Sequence, residues 1–399
     1  MNNSQEAASK YLDLGNLAKK ESKYPEAISF YVRAIEIDHN CYEAYIELEN
    51  IPTSQYQFNS LVTFYQKIIE QNLDLPFTWG NLADIFTAQG EQEEAIHCYK
   101  KACYKKAIQK NPKLASSDWN KNKKNSPDFI VIGAPRCGTT SLYVYLQQHP
   151  QFLSPTKKEI HFFTYHFQKG IDWYLAHFPC LADGQEFFTG EATATYLYDL
   201  NAAQRIAQTF PKVKLIVLLR NPVDRAASWH HYKVKIGMET RTLDQALEDD
   251  IRELETITLE QRYNSNLVIS NNLLGGFYID YLQEWIKIFS KKQFLIIESE
   301  NFYENTEKVM CEVFNFLELP NHPGNKQKLY AHFNAADYEK ISKNTRDRID
   351  KIFLDSNNEL EQLLGKKLNW NTIYMRDNQE ANIQKIEQVQ KYIEQGELL

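Results

Sequence analysis

The densest chemistry in the sequence lies in GAPRCGTTSL, residues 133–142, where two glycines flank an arginine and three hydroxyl side chains follow the second glycine. The apolar run FIVIG before it predicts a strand and the run after it a helix, so the segment reads as strand, loop and helix. First-turn N–H groups of such a helix have no acceptor within it and face the loop, and the helix dipole favours an anion there. Thr139, Thr140 and Ser141 add hydroxyl donors. The spacing Gly133-x4-Gly138 is that of a phosphate-binding P-loop, but Thr139 stands where that loop carries lysine, and the cation is Arg136, inside the loop. Cys137 reads as a small residue that fits, because no histidine and carboxylate signature surrounds it.

A second cluster follows in RNPVDRAAS. Arg220 closes the apolar run VKLIVLLR, and Ser228 lies eight residues on, within a helix that Asn221-Pro222 opens. A magnesium-dependent nucleotide triphosphatase wants an acidic residue at such a strand end. Arg220 there repels a metal and attracts a second phosphate, which favours an anionic nucleotide held by protein cations alone. In KKEIHFF, Glu159 and His161 share a face if the segment is extended. Glu159 also has Lys157 and Lys158 beside it as ion-pair partners. Glu191 reads as a residue that positions the site, and Trp173 and Tyr174 as either acceptor contacts or core.

These residues need elements to hold them. From Phe129 the short apolar runs FIVIG, EFFTGE, VKLIVLLR and QFLIIES alternate with amphipathic stretches, which predicts a parallel sheet buried on both faces, an α/β domain. GFYIDYLQEWIKIF has helical spacing and serves mainly the core, with Gly275-Gly276 at its start against the nucleotide. The first ~115 residues follow another grammar, that of a repeat array. Tyr11, Tyr45 and Trp79 recur every 34 residues, as do Leu14, Leu48 and Leu82, and Tyr31, Tyr65 and Tyr99. Ala27 returns as Ala95 and Ala34 as Ala102, while the middle copy carries Leu61 and Ile68. Each helix pair then has an apolar stripe that only stacking buries, and the alanines let helices approach. The lysine-rich, proline-punctuated QKNPKLASSDWNKNKKNSPD is the linker.

At 399 residues the chain suits two domains, and its net charge of -7 gives no general attraction to nucleic acid while leaving room for a local basic pocket. The opening MNNSQEAASKYLDLGNLAKKE lacks a signal-peptide core and no later run is long enough to span a bilayer, so a cytoplasmic location is expected. The six cysteines show no metal-ligand spacing and are expected to be free thiols.

The first half resembles the tetratricopeptide repeat, three copies with a degenerate centre. GAPRCGTTSL and RNPVDRAAS resemble the 5′-phosphosulfate loop and 3′-phosphate motif of sulfotransferases that use 3′-phosphoadenosine 5′-phosphosulfate. KEIHFF, GIDWYLAHFP, GEATATYL and GFYIDYLQEW are similar to the carbohydrate branch, notably domains acting on heparan-type chains. The expected architecture is an all-α tetratricopeptide-repeat solenoid over 1–115, a linker over 116–127, an α/β P-loop-type sulfotransferase domain with a central parallel sheet over 128–372, and a polar, helical tail over 373–399.

The resemblance implies that Glu159 is the general base, with His161 as its rival, and that Arg136 neutralises charge on the bridging oxygen. It implies a 5′-phosphate grip by Arg136, Cys137, Gly138, Thr139, Thr140 and Ser141, a 3′-phosphate grip by Arg220 and Ser228, and no metal. Much of the family has lysine at the Arg136 position. Arginine keeps its proton, so the role there is electrostatic, and sulfotransferases acting on protein tyrosines are similar in carrying arginine. Ala192 stands where heparan-type enzymes have a lysine for the acidic chain, so the acceptor need not be a polyanion. The expected acceptor is a carbohydrate hydroxyl or amine. A tyrosine hydroxyl on a peptide steered by the repeats, a small molecule, another P-loop kinase or triphosphatase chemistry, and an inactive adaptor whose repeats bind a protein partner are the alternatives.

Overall fold

The computed structural model describes residues 3–51, 58–71, 75–116, 126–180, 187–320, 341–368 and 370. Most of the expected linker and all of the expected tail lie outside the described residues. The chain divides into two compact units, one of residues 1–126 with 153–157 and 168–189, the other of residues 127–152 with 158–167 and 190–399. Among the described residues no helix is long and apolar enough to cross a membrane.

The first unit is built on the helices α1 (Asn3–Lys20), α2 (Tyr24–Ile37), α3 (Tyr42–Glu49), α4 (Phe58–Glu70), α5 (Pro76–Gln89) and α6 (Gln92–Lys110). Proline sits in the first turn of α2 and α5, where its missing N–H costs nothing, and Gly90 ends α5 in the left-handed conformation, φ +85°. The recurrent Tyr31, Tyr65 and Tyr99 are all buried, as are Ala27, Ala34, Ala95 and Ala102. In the middle pair, α3 has shrunk to eight residues. Buried Asn81 of α5 ties that pair in by donating to the Tyr45 carbonyl at 3.0 Å and to the Tyr65 hydroxyl at 3.0 Å.

Residues 168–189 also belong to this unit. Trp173 and Tyr174, on the short helix Ile171–Leu175, are buried core. Trp173 Nε1 donates to Thr87 Oγ1 of α5 at 3.0 Å, and its ring meets the Tyr99 ring of α6 edge-on at 5.6 Å. Of the two readings of this motif, core packing is the one its geometry supports.

The second unit is built on a four-stranded parallel sheet of order β2-β1-β3-β4, with β1 Phe129–Gly133, β2 Gly190–Ala192, β3 Lys214–Leu219 and β4 Phe294–Glu298. All residues of β1 and β2 are buried; the continuous apolar run of β1 demands this, whereas β2 buries the charged Glu191. The run EFFTGE yields strand only at its end, from Gly190. From β1 the chain crosses first to β2 on one side and then to β3 on the other. In an open parallel sheet this reversal leaves a crevice at the carboxyl ends of β1 and β3, where ligands bind.

Candidate active site

The loop after β1 lies in that crevice. It is pinned to the neighbouring strand: Ala134 N–H donates to the Leu218 carbonyl at 2.8 Å, and Ser299 Oγ, just past β4, donates to the carbonyls of Cys137 at 2.7 Å and Leu219 at 2.8 Å. Helix α7 (Thr139–Gln147) starts at Gly138, whose φ is +92°. A Cβ there would stand 2.6 Å from Tyr303 Oη, so both backbone and space demand glycine. Arg136 also takes a positive φ, +70°, which non-glycine residues adopt only where the surroundings hold them. Gly138→Ala is expected to destabilise the protein by about 1–2 kcal/mol through backbone strain. Gly90→Ala, with the same sign of φ but nothing within 4 Å of the added Cβ, should cost less in chemical denaturation, and calorimetry with an anionic ligand is expected to register a loss only at Gly138.

The first turn of α7 presents a cradle for an anion. Thr139 and Ser141 are buried, and Ser141 Oγ has no hydrogen-bond partner among the described residues. A buried hydroxyl left in that state is costly unless a ligand completes it, so the cradle fits a bound phosphate or sulfate oxygen. Cys137 is fully buried and burial pushes its thiol up to about 11. It is a protonated, packed side chain at neutral pH, with Tyr278 Oη at 3.5 Å from its sulfur, and not a nucleophile.

The two phosphate motifs meet. Arg136 Nε donates to Ser228 Oγ at 3.1 Å, its guanidinium carbon lies 5.1 Å from the centre of the Tyr232 ring, and Arg220 Nη1 donates to the Arg136 carbonyl at 3.4 Å. Sequence assigned these groups to separate ends of a nucleotide. They converge because β1 and β3 are adjacent and parallel. The helix Pro222–Lys235, which carries Ser228, is aimed by Asn221: its Oδ1 accepts from Val223 N–H at 2.9 Å and Asp224 N–H at 3.3 Å, and its Nδ2 donates to the Trp370 carbonyl at 2.7 Å. The space that Gly275 leaves open is taken by Arg225 and Tyr198, whose side chains lie 2.8 Å from where its Cβ would be.

At the carboxyl end of β2 lie the two proton-acceptor candidates. Glu159 N–H donates to the Ala192 carbonyl at 3.0 Å, and Glu159 Oε2 accepts from Ala194 N–H at 3.1 Å. The segment is not extended: Glu159 and His161 have φ of +57° and +55°. They still converge, His161 Nε2 lying 3.8 Å from Glu159 Oε2, while His161 Nδ1 is 3.3 Å from Thr195 Oγ1. Lys158 pairs with Glu159 Oε1, and Lys157 turns to Asp84 instead. Glu191 is fully buried and acts through others, accepting from Thr193 Oγ1 at 2.7 Å and Tyr196 Oη at 3.3 Å. Thr193 Oγ1 in turn receives His161 N–H at 3.5 Å.

Sequence reasoning missed Tyr232, Tyr278, Ser299 and Thr195. Tyr232 had a signal, lying four residues after Ser228 on one helix face. Ser299 had another, as the first small polar residue beyond the apolar run of β4. Tyr278 and Thr195 owe their places to tertiary packing alone.

A strand-loop-helix anion cradle, two arginines at neighbouring strand ends and a carboxylate at a third define an α/β domain with one candidate anion site and a carboxylate beside it. The chain belongs to the sulfotransferase-domain family, whose model matches residues 126–395, more than half of its length. A tetratricopeptide-repeat model matches residues 78–107. Bifunctional heparan sulfate N-deacetylase/N-sulfotransferase 3 of Homo sapiens is 30% identical over 278 residues, 62% of this chain and 31% of that protein. Membrane-associated sulfotransferase kil1 of Dictyostelium discoideum is 26% identical over 318 residues, 61% of this chain and 66% of that protein. The chain thus spans less than two thirds of the length of these curated relatives. A sulfotransferase from Alicyclobacillus acidocaldarius aligns with a TM-score of 0.49 at 26% identity, over 62% of this chain and 99% of that one.

Proposed function

We propose that this chain transfers a sulfuryl group from 3′-phosphoadenosine 5′-phosphosulfate to a hydroxyl or amine of a carbohydrate acceptor, with Glu159 as general base. The observation that carries the reading is the meeting of Arg136, Ser228 and Arg220 over a helix start whose Ser141 hydroxyl is buried and unpartnered among the described residues. A carbohydrate acceptor is favoured by the activity for which the heparan sulfate relatives are named.

The donor supplies the activated sulfuryl group. Amides of Thr139 and Thr140 and the Ser141 hydroxyl bind its 5′-phosphate, and Arg220 with Ser228 binds the 3′-phosphate and so rejects ATP. Arg136, unable to give up its proton, stabilises negative charge gathering on the leaving phosphate. Glu159 takes the acceptor's proton as the acceptor oxygen or nitrogen bonds to sulfur. The carboxylate is held by Ala194 N–H at Oε2, while Oε1 faces the Lys158 ammonium, on a long side chain that an acceptor displaces.

Transfer of radiolabelled sulfate from the donor to N-desulfated heparosan, with an acidic tyrosine peptide and ATP-magnesium as comparisons, tests this. Label on the polysaccharide supports the proposal. Label on the peptide alone moves the acceptor to tyrosine, and calorimetry that finds ATP-magnesium preferred over 3′-phosphoadenosine 5′-phosphate overturns the donor.

A further inference from the structure

Among the described residues, only neutral groups hold the Arg136 guanidinium. Its Nε donates to Ser228 Oγ at 3.1 Å, and the Tyr232 ring lies against it with the ring centre 5.1 Å from the guanidinium carbon. No carboxylate among the described residues pairs with it. A carboxylate partner would cancel the charge that an arriving phosphate has to meet. An aromatic face draws a cation through its quadrupole and leaves that charge whole. Arginine suits the ring, because a planar guanidinium stacks on an aromatic face, whereas the lysine that much of the family carries there presents a compact ammonium.

The ring is braced in turn. Tyr232 follows Trp229 by three residues on the helix Pro222–Lys235, so the two side chains are neighbours, and their rings stack with centres 5.5 Å apart and planes at 28°. Trp229 Nε1 donates to the Ile269 carbonyl at 3.0 Å. One turn to either side, Arg225 Nη2 donates to the Asn272 carbonyl, and Nζ of the buried Lys233 donates to the Ser270 carbonyl at 2.6 Å. Arg225, Trp229 and Lys233 recur every four residues, so one stripe of the helix is fastened to the segment 269–272. Asp250 of the helix Leu243–Leu254 anchors that segment, its Oδ2 accepting from Asn272 N–H at 2.9 Å and from Asn272 Nδ2 at 2.6 Å. All of these residues, Arg136 included, belong to the second unit. An arginine side chain left to itself spreads over many rotamers, and the braced ring selects those that lay the guanidinium over its face.

We infer that Tyr232 and Trp229 are positioning residues for Arg136: the Tyr232 ring, braced by Trp229, holds the guanidinium in place for the donor's leaving phosphate without neutralising it. The inference rests on the reading of Arg136 as the cation at that phosphate.

Fluorine drains negative charge from a ring's face while nearly keeping its shape, so Tyr232→Phe followed by mono-, di- and trifluorophenylalanine at the same position separates attraction from packing. Calorimetry on the full chain then compares 3′-phosphoadenosine 5′-phosphate, which carries the leaving phosphate, with adenosine 3′-phosphate, which lacks it. Affinity for the first is expected to fall stepwise along the series, about threefold or more by the trifluoro variant, while affinity for the second stays constant. In an Arg136→Ala background the series should be flat. Trp229→Leu should weaken only the first nucleotide, by a similar factor, and Trp229→Phe, which keeps a ring to stack, should recover most of the loss. If Trp229→Leu does not fold, the fluorinated series decides. A flat series in the presence of Arg136, or one that weakens both nucleotides alike, overturns the inference. Wild type that binds neither nucleotide overturns the donor reading and the inference with it, an outcome distinct from a flat series in a chain that binds. Absence of sulfuryl transfer leaves the calorimetric result standing and places the failure with the acceptor or the base.

Discussion

Under the proposed mechanism, replacing Glu159 with glutamine is expected to lower sulfuryl transfer about 10³-fold while 3′-phosphoadenosine 5′-phosphate binds within twofold of wild type. The magnitude is that of a lost general base. Glutamine keeps an oxygen able to accept from Ala194 N–H, so the loop at the end of β2 retains its geometry, and only the basicity goes. The partner left behind, Lys158, is partly exposed and its ion pair contributes little to stability. His161 supplies the internal control. Its Nδ1 is engaged with Thr195 and its Nε2 faces Glu159, so His161→Gln should cost about tenfold or less. Steady-state kinetics on both variants checks this, and a larger loss at His161 than at Glu159 would reverse the two roles.

Arg220→Ala is expected to remove the preference for a 3′-phosphate that the proposed donor implies. A charge-assisted contact of this type contributes about 1.5–3 kcal/mol, roughly 10- to 150-fold in affinity. Calorimetry with 3′-phosphoadenosine 5′-phosphate and AMP on wild type and variant forms a cycle in which only the doubly phosphorylated nucleotide should respond. Equal weakening of both nucleotides would mean that Arg220 merely supports the loop, which its contact with the Arg136 carbonyl makes a real alternative to exclude.

Much of this site was legible in the sequence because its residues are local to strand ends. Gly138, Ser141, Arg220 and Ser228 follow apolar runs at fixed offsets, and a parallel sheet brings such positions to one edge. The repeat period was legible for the same reason, since a 34-residue interval survives even where α3 has shortened. What was not legible depends on pairing between distant segments. The contact of Arg136 with Ser228 requires knowing that β1 and β3 are neighbours. The burial of Trp173 and Tyr174 requires knowing that residues 168–189 pack with α5 and α6, although their motif resembles one from chains acting on sugars. The left-handed backbone at Glu159 and His161 has no glycine to announce it.

The bond from Asn221 to the Trp370 carbonyl has a consequence for biosynthesis. The helix that carries Ser228 is capped at Asn221, but the group that fixes this cap emerges 149 residues later. At ordinary elongation rates that interval is roughly 7–30 s. The nascent protein can close its repeat helices long before this bond can form, so ribosome-bound chains that stop short of Trp370 should be folded at the front and lack the bond that fixes the helix bearing Ser228.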